Sequence, residues 1–188
     1  MGRVVVLNGA SSAGKSSIAR ALQARWAAPM LRVGIDTVIA SWPGTHVVGP
    51  DEDVGDAVAP YRIVAGAGPA PSWVPLWGEP LLGLARDAHR HWAALAAAGW
   101  DLVVDYAFFD ASLRDDAIAV LPPALWVAVT CPVEVLVARE AARGDRYPGF
   151  ASGTWACAHD GLDYDLTVDT SLVGADEAAE RILAALRA

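Results

Sequence analysis

Lysine is almost missing from this chain. Of fourteen Lys and Arg residues, thirteen are arginine, and Lys15 is the single lysine. Cysteine is nearly as scarce. Cys131 and Cys157 lie far apart and make no C-x-x-C pair. This argues against a disulfide framework and predicts reduced thiols, as in a cytoplasmic protein. Positive charge is in deficit too, with a formal net charge of −8. Nucleic acid is therefore not an expected partner, because no basic stripe is available to neutralise its phosphates. No apolar run reaches the length of a bilayer span without a polar or charged interruption, so no membrane segment is expected. An apolar strand pattern begins at Val4, which predicts no secretory leader. What remains is 188 residues, enough for one domain with a real core.

The one lysine stands in Gly9-Ala-Ser-Ser-Ala-Gly-Lys15-Ser16. That is the G-x-x-x-x-G-K-[ST] spacing of a phosphate-binding loop. A composition rich in Ala, Gly and Arg, as from a GC-rich genome, accounts for lysine being lost elsewhere. It leaves Lys15 as the one that was kept. An ammonium is a compact point charge on a thin stem, suited to reaching between β- and γ-phosphate oxygens. Val4-Val5-Val6-Leu7 reads as a buried strand and Ser16–Ala27 as a helix. The loop then joins a strand to a helix N-terminus, where free amides and the helix dipole favour an anion. Gly9, Ala10, Ser11, Ser12, Ala13, Gly14, Lys15, Ser16 and Ser17 are the expected nucleotide-binding residues.

Apolar runs alternate with helical patterns along the rest of the chain, which predicts an α/β fold with a parallel sheet between two helical layers. Further strands are expected at Leu31–Ile35, Leu102–Asp105, Leu125–Thr130 and Leu166–Val168. Further helices are expected at Leu81–Ala98, Ser112–Val120, Val133–Arg143 and Ala175–Leu186. The stretch from about 42 to 80 is rich in Gly, Pro, Asp and Trp and has little periodicity. So long an irregular stretch is rare in a compact domain unless it serves the site. It reads as an insert covering a substrate, with room for short helices, and not as a linker between domains.

Four groups of residues carry candidate chemistry. Asp36 follows the second strand, and ligands of open parallel sheets sit beyond the carboxyl ends of the strands. It is placed either to take a proton from an attacking hydroxyl or to cap the next short helix. Asp105 closes the strand Leu102-Val103-Val104, a Walker-B-like position that with Ser16 would hold Mg²⁺. Arg139 and Arg143 share a helix face, and Arg146 follows Gly144. The three would form a mobile lid, at about 139–160, closing over transferring phosphate, unless they are only a solvated helix end. Trp42, Trp73, Trp77, Tyr106, Phe108 and Phe109 are the candidate acceptor wall; for the three tryptophans, anchoring the insert to the body explains as much. His89 and His91, two apart on a helix, point to different faces and make no metal site.

In these features the chain resembles the chloramphenicol phosphotransferase family of small antibiotic O-kinases. The resemblance rests on Val6–Ser16, Val33-Gly-Ile-Asp36, Leu102-Val-Val-Asp105, Trp126–Cys131, Arg139-Glu-Ala-Ala-Arg-Gly-Asp-Arg146 and Tyr164-Asp-Leu-Thr-Val-Asp-Thr170. These blocks occur in order and span nearly the whole chain. The resemblance implies an adenylate-kinase-like P-loop fold with five parallel strands in 2-3-1-4-5 order. It implies ATP and Mg²⁺ as cofactors and a small-molecule hydroxyl as acceptor. It implies Asp36 as general base, Lys15 and Ser16 as ligands of phosphate and metal, and the arginine segment facing the phosphates. The insert and Asp105-Tyr106-Ala-Phe108-Phe109 depart from the family pattern, so the acceptor itself is left open. A metabolic kinase for a sugar, shikimate-like acid or nucleoside is the first rival. A nucleotide-binding regulatory module without catalysis is the second.

Overall fold

The computed structural model describes residues 1–42, 47–48, 61–65, 72–143 and 148–187. The elements run β1 (Val4–Asn8), α1 (Lys15–Arg25), β2 (Met30–Gly34), α2 (Ile35–Ala40), β3 (Val47–Val48), β4 (Tyr61–Ala65), β5 (Trp73–Trp77) and α3 (Glu79–Ala97). They continue with β6 (Asp101–Tyr106), α4 (Ala111–Val120), β7 (Leu125–Thr130), α5 (Val133–Arg143), α6 (Phe150–Trp155), β8 (Leu166–Asp169) and α7 (Ala175–Ala185).

β1 is buried along its whole length, as a strand of consecutive Val and Leu should be when both faces are covered. Successive side chains point to opposite faces. Val5 and Leu7 enter a core shared with Ile18, Leu22, Val127, Val129 and Ile182, beneath α1 and α7. Val4 and Val6 enter a second core with Leu81, Leu82, Trp92, Val104 and Leu113, beneath α3 and α4. These two cores make the three layers that the alternating pattern predicts. The five-stranded sheet has the order β2-β6-β1-β7-β8, with every pairing parallel. Counting only the strands of this sheet, that is 2-3-1-4-5. The element numbers differ because three further strands intervene.

Those three strands correct the expectation for 42–80. Where an insert with short helices is the expectation, residues 47–48, 61–65 and 73–77 form a second sheet, β3-β4-β5, with β4 and β5 antiparallel, and residues 43–46, 49–60 and 66–71 of the insert lie outside the described residues. Pro75 lies opposite Ile63 and has no N–H to give a ladder. Gly- and Pro-rich flanks hide a short strand of this kind from any periodicity count. Most element boundaries shift by a residue or two from expectation. Ile35 opens α2 and does not end β2, and α1 stops at Arg25, because Trp26 is extended.

α6 was not expected at all. Phe150 to Thr154 are buried, so this part of the predicted lid is packed and fastened. No described helix is long and apolar enough to cross a membrane.

One buried polar chain runs through the second core. His89 on α3 is fully buried, with Nδ1 2.7 Å from Asp116 Oδ2 and Nε2 3.0 Å from the Tyr106 hydroxyl. A carboxylate can only accept, so Nδ1–H donates to Asp116 and Nε2 accepts from Tyr106. Burial holds the His89 pKa below its ordinary 6.5, against the opposing pull of Asp116. Burial likewise lowers His159. The unfolded chain then binds protons below about pH 6.5 that the folded chain refuses. Stability is complete above that pH and is lost as pH falls. We expect the urea midpoint to drop between about pH 7 and pH 5, with a smaller drop in His89→Gln. An unchanged drop in the variant would remove His89 as its source.

Candidate active site

β1 ends and α1 begins around the loop Gly9–Ser16. Gly9 is required by close approach: a Cβ there would lie 2.2 Å from the Val129 carbonyl oxygen. Gly14 has φ +93°, and Ser12 reaches φ +63° despite its side chain. The loop is thus wound into the left-handed region twice. This arrangement turns successive amides inward and makes an anion-binding concavity. The Ser12 hydroxyl is buried and has no hydrogen-bond partner among the described residues. A phosphate oxygen would satisfy it, so the loop fits a nucleotide. Lys15 Nζ donates to the Gly9 and Ala10 carbonyls, both at 2.8 Å.

Ser16 Oγ donates to Asp105 Oδ2 at 2.6 Å. The pairing Leu7↔Asp105 brings the end of β6 beside β1, and this register brings the two side chains together. Two hard oxygens side by side suit Mg²⁺, which retains waters and takes its other ligands from phosphates. Among the described residues no cluster of three or more His, Cys, Asp or Glu could hold a metal.

A cleft of about 900 Å³ opens over the loop. Sheet order divides its lining. At the ends of β2 and β6 lie Asp36, Ile39, Tyr106 and Phe109, and Trp77 of β5 and Phe150 of α6 join the lining. On the side of β8 lie Arg139, Arg143, Thr170, Val173 and Gly174. Asp36 is in the first turn of α2 and exposed. The residue capping that helix is Gly34, so the capping alternative for Asp36 does not hold. Arg20 of α1 also lines the cleft and was not anticipated.

The aromatic candidates separate. Trp77, Tyr106 and Phe109 line the cleft, whereas Trp42, Trp73 and Phe108 do not. Phe108 is spent on the core, stacked on Tyr106 at 3.9 Å between ring centroids. Its amide donates to Asn8 Oδ1 at 3.1 Å. Trp73 is used in docking β5 to α6, its amide donating to the Gly149 carbonyl at 3.0 Å. Trp42 packs against the second core.

Among the arginines, Arg139 lines the cleft but is also tethered. Its guanidinium donates to Thr170 Oγ1 at 2.9 Å and to the Thr170 carbonyl at 2.7 Å. Thr170 Oγ1 in turn donates to the Ala13 carbonyl at 2.9 Å. Arg139 is therefore wired to the phosphate loop from the β8 side. Arg143 is exposed at the end of α5. Arg146 lies outside the described residues.

Sequence reasoning passed over Asn8. It is fully buried and donates to the Ala158 carbonyl and to Tyr164, both at 2.6 Å. It joins the root of the loop to the β6 exit and to the turn after α6. An asparagine ending an all-apolar strand was the available signal.

The family model for chloramphenicol phosphotransferase-like proteins matches residues 2–187. This chain belongs to that family. It is a phosphotransferase with a P-loop kinase fold. In two strains of Mycobacterium tuberculosis, a protein named "Putative O-phosphotransferase" is 30% identical over 96% of this chain and 80% of its own length. A sugar kinase from Janibacter superposes with TM-score 0.65 at 20% identity, covering all of this chain and 95% of its own. The Mycobacterium tuberculosis APS kinase, solved with AMPPNP and APS, superposes with TM-score 0.66 at 16% identity, covering 100% and 98%. At those identities the two structures speak for the fold alone.

Proposed function

We propose that this phosphotransferase moves the γ-phosphate of ATP to a hydroxyl of an uncharged small molecule with aromatic or apolar bulk. An antibiotic such as chloramphenicol, or a related natural product, is the leading candidate. One observation carries this reading. Asp36, the phosphate loop and an aromatic wall of Trp77, Tyr106, Phe109 and Phe150 share a single cleft. Besides Lys15 of the loop and Arg139 and Arg143, Arg20 is the only described cation lining the cleft, which disfavours an acceptor that must be held by its negative charge.

In the step we propose, the acceptor oxygen forms a bond to the γ-phosphorus. The bond from that phosphorus to the β–γ bridging oxygen breaks, and ADP leaves. The hydroxyl proton passes to an Asp36 carboxylate oxygen. Lys15 and the loop amides hold the β- and γ-phosphates, and Ser16 with Asp105 would hold Mg²⁺. When bound, the metal would offset phosphate charge. Arg139 and Arg143 border the nucleotide half, and Arg146 is proposed with them on sequence grounds. The insert 42–80 would cover the acceptor and exclude water.

The test is ADP release from Mg·ATP over a panel of chloramphenicol, nucleoside and aminocyclitol antibiotics, simple sugars and shikimate. Release stimulated by an antibiotic and absent in Lys15→Ala supports the reading. Stimulation by sugars or shikimate alone overturns it in favour of a metabolic kinase.

A further inference from the structure

Helix α6 is six residues long, yet it touches both halves of the site. Phe150 at its start lines the cleft and meets Phe109 edge-on, with ring centroids 6.3 Å apart. At its other end Thr154 is fully buried. The Thr154 hydroxyl donates to the Phe150 carbonyl at 2.8 Å, one turn back. That leaves a lone pair, which accepts the Ser11 amide at 3.0 Å. Ser11 is the third residue of the phosphate loop and directly precedes Ser12, the residue held at φ +63°.

The position of α6 is set from two other directions. Glu140 of α5 is 4% exposed, and its oxygens accept the Gly149 and Ala151 amides at 2.7 and 2.6 Å. Both oxygens are thereby satisfied at the head of α6, as a buried carboxylate requires. Gly153 sits against β5, where a Cβ would lie 2.2 Å from the Trp73 carbonyl oxygen. Only glycine allows that approach.

We propose that Thr154 is a positioning residue for the phosphate loop, with Glu140 setting its place through α6. A non-glycine residue in the left-handed region persists only where its surroundings over-determine it. Fixing the Ser11 amide supplies that constraint one residue upstream of Ser12. The loop then meets a nucleotide already wound, and binding need not order it. Removing the acceptor oxygen lets the loop relax, and the loss falls on nucleotide binding more than on the transfer step. The proposal rests on the loop being the nucleotide site.

The experiment is calorimetric titration of the full chain with Mg·AMPPNP, comparing wild type, Thr154→Val and Thr154→Ser. The valine variant keeps the shape and loses the oxygen, whereas serine keeps the oxygen. We expect about tenfold weaker binding for valine, a difference of about 1.4 kcal/mol, and near wild-type binding for serine. With a working acceptor, the valine variant should raise the nucleotide KM and leave kcat nearly unchanged. Equal affinity of valine and wild type overturns the proposal. So does a serine variant as weak as valine, which would point to packing of the methyl group.

Amide hydrogen exchange in the unliganded wild type needs neither a variant nor a nucleotide. Ser11 should exchange at least about tenfold more slowly than Ser12 and Gly14. Equal rates sink the proposal even if the valine variant fails to fold. A wild type that shows slow Ser11 exchange yet binds no Mg·AMPPNP instead sinks the nucleotide reading and leaves the positioning contact standing.

Discussion

Lys15→Ala should lower phosphate transfer by about 10²–10³-fold, the usual cost of losing one preorganised donor to transition-state charge. In the free protein the ammonium donates to two carbonyls of its own loop, Gly9 and Ala10. Phosphate oxygens would replace neutral acceptors with charged ones, and charge-assisted bonds are roughly twice as strong. The lysine is thus held at the mouth of the loop before nucleotide arrives. Lys15→Arg should fare little better. A guanidinium is a wide planar fork, and it would have to enter a concavity shaped around a point charge. The measurement is ADP release with the best acceptor from the panel, alongside a melting curve. Unchanged melting with lost turnover assigns the effect to chemistry. Wild-type turnover in the alanine variant would contradict the assignment of the loop.

Asp36→Asn should lower kcat by about 10²–10⁴-fold, the range general-base catalysis supplies. The amide keeps the size and one acceptor oxygen, and it cannot take a proton. Asp36 is exposed at the head of α2, so the change should leave stability within about 0.5 kcal/mol of wild type. KM for the nucleotide should be unaffected, because Asp36 lies on the β2 side of the cleft. A variant with intact kcat and a verified acceptor would leave the proton with water and reduce Asp36 to a bystander. A variant with intact kcat and raised acceptor KM would make it a binding residue.

The parts legible in the sequence are those where one signal acts alone. β1 is five residues with no polar interruption before Asn8, and its loop has fixed spacing, so strand, loop and helix could be placed together. The five-stranded sheet and its flanking helices follow from the same runs of Val, Ile and Leu. The parts that were hidden are set by contacts distant in sequence. α6 contains Ser152 and Gly153, poor helix formers, and exists because Glu140 accepts its first amides and β5 needs its glycine. Glu140 lies four residues after the buried Leu136, on the same face of α5, so its burial follows the helical period. Phe108 and Phe109 are adjacent, so they point apart. Only the fold decides that Phe109 meets the cleft and Phe108 meets Tyr106. Arg139 was expected to face phosphate, and its bonds to Thr170 could not be read from spacing.

A lysine-specific endoprotease has one bond to cut in this whole chain, Lys15–Ser16. That bond lies in the first turn of α1, with Ser16 held to Asp105. Cleavage needs several residues drawn out into an extended strand, so the folded chain must first unwind the head of α1. The yield of the two fragments therefore counts every opening that frees this segment, local or global. When reclosing outpaces cutting, the rate reports how often that segment is open. The scarcity of lysine thus turns an ordinary digest into a gauge of motion at a single place.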